Sequence, residues 1–278
     1  MTSPSAVYAD LHTHTQASDG VRTPSALVAA AAERGIEVLA VTDHDTVDGL
    51  AEAQRAADAR GLQFLAGVEL SVTLDQSEIH LLAYGIDPHH EALTSHLAAM
   101  RRAREDRAWR MVERLRAHGL RLPDAHLEAQ LADTTAPGRP HVAAALAEAG
   151  YVDTVGEAFR TYIGRDGPGF VDKPAVAAED VLAVVHAAGG VGVLAHPGDW
   201  ISSRQIRTLA QRGLDGLELH HPSHRSSLVT YYRRLADGHD LLTTGGSDYH
   251  GRTEAEDDAF GRVGLSKREW ERFWAELA

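Results

Sequence analysis

Histidines and carboxylates carry the chemical potential of this chain, and they recur where short apolar runs stop. One run closes in Asp10-Leu11-His12-Thr13-His14, and alternation along an extended strand points His12 and His14 to the same side. Asp19 follows in a glycine-containing turn, and the next run ends in Thr42-Asp43-His44-Asp45. A third ends in Gly67-Val68-Glu69, and a fourth begins Glu78-Ile79-His80. Later come Ala195-His196-Pro197 and Gly245-Gly246-Ser247-Asp248-Tyr249-His250. A lone histidine is more often structural than a ligand, so joint occurrence has to carry the argument. His12, His14, His44, His80, His196 and His250 in one partly buried cleft with Asp19, Glu69 and Asp248 would crowd like charges and unpaired polar groups. That arrangement costs several kcal/mol, which divalent cations relieve. Nine donors exceed the roughly four to six that one ion accepts, so two to three ions are expected. Imidazole and carboxylate donors suit Mn, Zn or Fe.

The elements that must position these residues alternate in type. A β-branched run, a polar or glycine turn and an alanine-rich helical segment repeat in β-α-β-α-β order in the first half of the chain. Strands are expected at 7–11, 38–42, 64–68, 79–84, 191–195, 217–219 and 241–244, with the first two helices starting near Pro24 and Val47. Seven strands alternating with helices imply an α/β fold with a mostly parallel sheet, closed into a barrel or open and doubly wound. In a parallel barrel the strand C-termini share one rim, where active sites are built. Between 91 and 172 no strand pattern occurs, and Leu93, Leu97, Met100, Ala108, Val112 and Leu115 step at helical spacing. The expected division is a metal-binding barrel at 1–90 and 173–278, with an all-helical, substrate-capping insert at 91–172.

Composition narrows the function. The 278 residues suit one large domain with an insert, and no apolar stretch approaches the ~18 residues of a membrane span. The N-terminus has no basic segment followed by an apolar one, so the expected location is the cytoplasm. Zero cysteines exclude disulfides, thiol nucleophiles and thiolate metal sites. A net charge of −13 repels long polyanions, which excludes extended nucleic-acid binding.

In order along the chain, His12-Thr13-His14, Thr42-Asp43-His44-Asp45-Thr46, Gly67-Val68-Glu69, Ala195-His196-Pro197 and Gly246-Ser247-Asp248-Tyr249-His250 resemble the successive motifs of the polymerase and histidinol phosphatase (PHP) family of metal-dependent phosphoesterases. The resemblance implies a distorted (β/α)7 barrel with a trinuclear site. It groups His12, His14, Glu69 and Asp248 on one ion, a bridging Glu69 with His80 and His196 on a second, and Asp19, His44 and His250 on a third. Asp19 stands where some relatives have histidine. The insert resembles the branch acting on nucleoside 3′,5′-bisphosphates and on the 5′ ends of short oligonucleotides. The expected catalyst is a hydroxide bridging two ions roughly 3.5 to 4 Å apart, with no protein nucleophile.

For substrate, Arg139 in Gly138-Arg139-Pro140-His141 is the expected grip on a second phosphate, because a guanidinium meets phosphate oxygens bidentately and stays charged. Pro140 disfavours helical geometry at Arg139 and so places it on a loop, with His141 beside it. The arginines between 101 and 116 interleave with Glu105, Asp106 and Glu113 and read as a solvated helix face with internal ion pairs. His220, His221 and His224 face the rim as substrate or supporting contacts, while Asp43 and Asp45 orient neighbours. Two other activities compete: a histidinol phosphatase or other small-molecule phosphatase, and an amidohydrolase. The last usually bridges its metals with a carboxylated lysine, and Lys173 and Lys267 lie at no strand end near the histidines.

Overall fold

The computed structural model describes residues 7–75, 77–132, 138–173 and 175–277. They form two compact units, Met1–His96 with Ala175–Ala278, and Leu97–Pro174.

The first unit holds seven strands in one sheet of sequential order: β1 (Ala9–Asp10), β2 (Val38–Val41), β3 (Gln63–Leu74), β4 (Ser77–Tyr84), β5 (Val191–Leu194), β6 (Gly216–His220) and β7 (Leu242–Gly245). In chain order the helices begin with α1 (Pro24–Glu33) and α2 (Leu50–Asp58), both in the first unit. Thr23 caps α1 by accepting the Ala26 N–H at 3.2 Å, and Pro24 supplies a preset first turn. α2 starts three residues later than expected because Asp48 N–H bonds the Thr46 hydroxyl at 3.2 Å and holds a turn there. α3 (Glu91–Ala117), α4 (Asp124–Ala132), α5 (Arg139–Glu148), α6 (Val155–Ala158) and a π-helical turn at Phe159–Ile163 follow. Then come α7 (Ala178–Ala187), α8 (Ser203–Gln211), α9 (Ser226–Gly238), α10 (Glu254–Ala259) and α11 (Lys267–Leu277).

The sheet nearly closes into a barrel. Beyond β1, Leu11 N–H reaches the Gly245 carbonyl at 3.2 Å, Asp248 N–H the His12 carbonyl at 2.9 Å and His14 N–H the Tyr249 carbonyl at 2.9 Å. Two apolar cores support it. Leu27, Val28, Leu39, Val41, Tyr249 and Phe260 pack under α1 and α2. Leu11, Val38, Leu82, Tyr84, Val193, Trp270 and Phe273 form the other.

One expectation needs correction. β3 runs six residues past Val68, because Leu70, Val72 and Leu74 alternate with Ser71 and Thr73 and stay buried. It pairs antiparallel with β4 from Gly67–Tyr84 to Leu74–Ser77, and β4 is antiparallel to β5 as well. The other neighbours are parallel. His80 therefore reaches the common rim from the early half of a reversed strand and Glu69 from the middle of the extended β3, whereas the other donors follow the C-termini of parallel strands.

The second unit is helical, with Met111, Val112, Leu115, Leu127, Val142, Leu146 and Ile163 in its core. Among the described residues, no helix is long and apolar enough to cross a membrane.

Candidate metal centre

The extended chain after β1 places His12 and His14 on one face, both fully buried, with ring centroids 5.2 Å apart. Thr13 points the other way and donates to the Ala40 carbonyl at 2.6 Å. Glu69, also fully buried, occupies the centre. Its Oε1 lies 2.8 Å from His80 Nδ1 and 3.0 Å from His196 Nε2. Its Oε2 lies 3.0 Å from His44 Nδ1, 3.3 Å from His14 Nε2 and 3.4 Å from His12 Nε2. Asp248 Oδ1 faces His14 Nε2 at 3.2 Å and His12 Nε2 at 3.3 Å. Asp19 Oδ1 meets His250 Nε2 at 3.2 Å, and the His250 ring stacks on His14 at 4.1 Å between centroids. All nine side chains singled out in the sequence thus meet at one end of the barrel.

Donor atoms lie within 4.8 Å of one another in four overlapping sets: His14, Asp19, His44 and His250; His12, His196 and Asp248; His12, His14 and Glu69; and His44, Glu69 and His80. Glu69 and Asp248 both face His12 and His14, and His14 also lies within reach of Asp19, His44 and His250.

The electrostatics suit cations. Burial pushes the Glu69 carboxyl up, but the imidazoles of His44, His80 and His12 outweigh it and hold it well below the usual carboxylate range. Asp248 and Asp19 are held low in the same way, by His12 and His14 and by His250 and His44 respectively. Burial lowers His44 to about 3, which keeps its ring a neutral donor. At His12 burial opposes the charge, yet Glu218, Asp248 and Glu69 together raise its pKa well above the usual value. Three carboxylates therefore favour positive charge at this point, a demand that a proton or a divalent ion can meet. Both ring nitrogens of His14 and Nδ1 of His44 are buried without a hydrogen-bond partner. Such orphaned nitrogens facing ionised oxygens fit metal ligation better than an internal hydrogen-bond network.

The backbone is strained where donors are aimed. Among the described residues five non-glycine residues have positive φ, and Asp45 (49°), His196 (26°) and Asp248 (52°) belong to this region. A Cβ at Gly246 would lie 2.4 Å from the His12 backbone nitrogen, so only glycine lets these segments approach.

Further residues support the donors. Asp43 accepts from Thr15 N–H at 2.7 Å, the Thr15 hydroxyl at 2.7 Å and the Ser18 hydroxyl at 2.6 Å, while Asp45 accepts from Ser71 N–H at 2.8 Å. Asp10, lifted to about 7 by burial, accepts from Ser247 N–H at 2.9 Å and ties β1 to the Asp248 segment. Sequence reasoning missed Glu218, fully buried in the middle of β6. Its Oε1 lies 2.9 Å from His12 Nδ1 and its Oε2 accepts from His196 N–H at 2.6 Å. A carboxylate between Leu217 and Leu219 was the available signal, since a buried charge requires a partner.

Of His220 at the end of β6 and His221 and His224 beyond it, His221 touches a donor carboxylate, Asp248 at 3.2 Å. His220 turns to Glu269 at 3.0 Å, and His224 bonds the Leu219 carbonyl at 2.9 Å. Arg139 is the first residue of α5 and not a loop residue, because extended Gly138 takes the cap position and the fixed φ of Pro140 suits the first turn. Its guanidinium lies 5.5 Å from the Phe159 ring centroid. His141 Nδ1 accepts the Gly138 N–H at 3.1 Å, a structural task at the helix start. Within the arginine run, Arg107 donates to the Val171 carbonyl at 2.8 Å, and Arg116 to the Leu122 carbonyl at 3.0 Å and to Asp124.

A near-closed α/β barrel with buried imidazoles and carboxylates at one end defines a metal-dependent hydrolase site. The PHP domain family matches residues 10–157, and the chain belongs to this family of metal-dependent phosphoesterases. It is 35% identical over 246 residues to the 3′,5′-nucleoside bisphosphate phosphatase of Chromobacterium violaceum, covering 87% of this chain and 86% of that one. It is 36% identical over 253 residues to the 5′-3′ exoribonuclease Rnm of Escherichia coli, with 88% and 86% covered. A solved structure from Bifidobacterium adolescentis, assigned as a metal-dependent phosphoesterase, superposes with a TM-score of 0.84 at 35% identity over 98% of this chain and 97% of that one.

Proposed function

We propose that this phosphoesterase removes the 3′-phosphate of nucleoside 3′,5′-bisphosphates to leave the 5′-phosphate, and that it also accepts short 5′-phosphorylated oligonucleotides. The convergence of nine donors, with the buried Glu69 carboxylate among them, carries the reading. Similarity to a bisphosphate phosphatase and to exoribonucleases supports the substrate class. His12, His14, Asp19, His44, Glu69, His80, His196, Asp248 and His250 would hold two to three divalent ions, Mn, Zn or Fe. When bound, such ions supply the Lewis acidity that activates water and offsets charge on phosphoryl oxygens.

The chain's own residues prepare that chemistry. Glu218 Oε1 accepts the His12 Nδ1–H, which would leave the Nε2 lone pair free for an ion held between it, Glu69 and Asp248. Asp10 and Asp43 fix the segments bearing the histidines. Water adds its oxygen to phosphorus as the bond to the 3′ oxygen breaks, and a proton ends on that leaving oxygen. Arg139 grips the second phosphate in this reading, and the cytoplasm, where nucleotide substrates are formed, is the proposed location.

The test is phosphate release after manganese loading from adenosine 3′,5′-bisphosphate, histidinol phosphate and a 5′-phosphorylated dinucleotide. Fastest release from the bisphosphate, with adenosine 5′-phosphate as product, is expected. Preference for histidinol phosphate would overturn the proposal.

A further inference from the structure

The donor cluster borders a cleft of about 420 Å³, lined by His196, His221 and Asp248 together with Trp200, Arg225 and Leu228. Trp200 is the most exposed large apolar side chain among the described residues, at 53%. Leaving an indole in water is unfavourable, and its loop does nothing to let it retreat. Gly198 has φ +59°, and a Cβ there would lie 2.7 Å from Cδ1 and Nε1 of the indole, so the ring rests against a position that only glycine can occupy. Both backbone polar groups of Gly198 are pinned: its N–H donates to His224 Nε2 at 3.2 Å, and its carbonyl accepts from the buried Tyr232 hydroxyl at 2.5 Å. His224 is itself held by the Leu219 carbonyl at the end of β6. The indole is thus presented on a locked turn four residues beyond the donor His196. The exposed Arg225 adds a planar cation to the same cleft, and its guanidinium donates from Nε to Ser227 Oγ at 3.1 Å.

We propose that this cleft is a nucleoside subsite, in which Trp200 stacks on the base and Arg225 contacts a phosphate oxygen of the same nucleotide. The inference rests on the nucleotide reading above and deepens it. An aromatic platform beside a guanidinium binds a base and its phosphate together, and because every base has a π-face it tolerates base identity. A platform fixed before binding loses little freedom when the ligand arrives.

The test compares wild type, W200A and W200F, each manganese-loaded, on adenosine 3′,5′-bisphosphate and on ribose 5-phosphate, which keeps sugar and phosphate but lacks the base. KM is measured for each, or Ki against the bisphosphate where ribose 5-phosphate is not turned over. W200A is expected to raise KM for the bisphosphate about ten-fold with kcat within about two-fold, and W200F to stay within about three-fold. Neither should move the ribose 5-phosphate value beyond about two-fold. Adenosine 5′-phosphate should quench tryptophan fluorescence in wild type and not in W200F. An unchanged KM for the bisphosphate, equal losses on both compounds, or a quench that survives in W200F would overturn the subsite. A wild-type enzyme that hydrolyses other phosphate esters and no nucleoside bisphosphate overturns the nucleotide reading and the subsite with it.

Discussion

Replacing Glu218 with glutamine changes one atom in a fully buried position and tests how the donor field is organised. Glu218 Oε2 accepts the His196 N–H at 2.6 Å, and a backbone N–H cannot become an acceptor, so the amide oxygen must occupy that place. The amide nitrogen then faces His12 Nδ1 at the position now 2.9 Å away. Two donors cannot share that contact, so the His12 proton moves to Nε2 and points at Glu69 Oε2 and Asp248 Oδ1, 3.4 and 3.3 Å distant. A protonated Nε2 has no lone pair for a metal. Loss of such a supporting carboxylate costs about 10- to 100-fold in metal affinity, or about 1.4 to 2.7 kcal/mol. The assay is manganese titration against a competing chelator, with the melting curve of metal-free protein as a control for folding. Affinity of E218Q within two-fold of wild type would refute the tautomer argument.

Other substitutions test separate links. R139A should raise KM for a 3′,5′-bisphosphate about 10- to 100-fold, as expected for a charge-assisted phosphate contact, and change KM for an aryl phosphate much less; equal effects would remove the assignment. G246A forces a Cβ to within 2.4 Å of His12 backbone and should cost about 1 to 3 kcal/mol, read as a fall in melting temperature of several degrees. The Glu269 carboxyl is held below the usual range by His220, then by Ser266 and Arg233 against the opposing effect of burial. A depressed folded pKa contributes stability above the unfolded value of about 4.3 that disappears as pH falls through the folded one. The stability gap between metal-free wild type and E269Q should therefore be widest near neutrality and shrink below about pH 4.5; a gap independent of pH would contradict this.

Much of the centre was legible because its donors sit at the edges of short apolar runs, where local pattern shows both the strand and the residue that ends it. His12 and His14 follow from alternation alone. Strand direction is not written in a period of two, so the reversal of β4 was invisible, and Ser71 and Thr73 masked the length of β3. Glu218 escaped notice because it lies inside a strand, and its partners His12 and His196 are 206 and 22 residues away. The effect of proline on the preceding residue misplaced Arg139, since the capping conformation of Gly138 was the stronger constraint.

The account's central claim is that Glu69 organises a cluster of cations at the end of the barrel. Elemental analysis of manganese-loaded wild type and E69Q, paired with phosphate release from the same samples, tests it most directly. Two to three ions per chain with turnover in wild type, and at least one ion fewer with no turnover in E69Q, is the predicted result. A fully loaded, active E69Q enzyme, or wild type that binds no cation at any loading concentration, would contradict it.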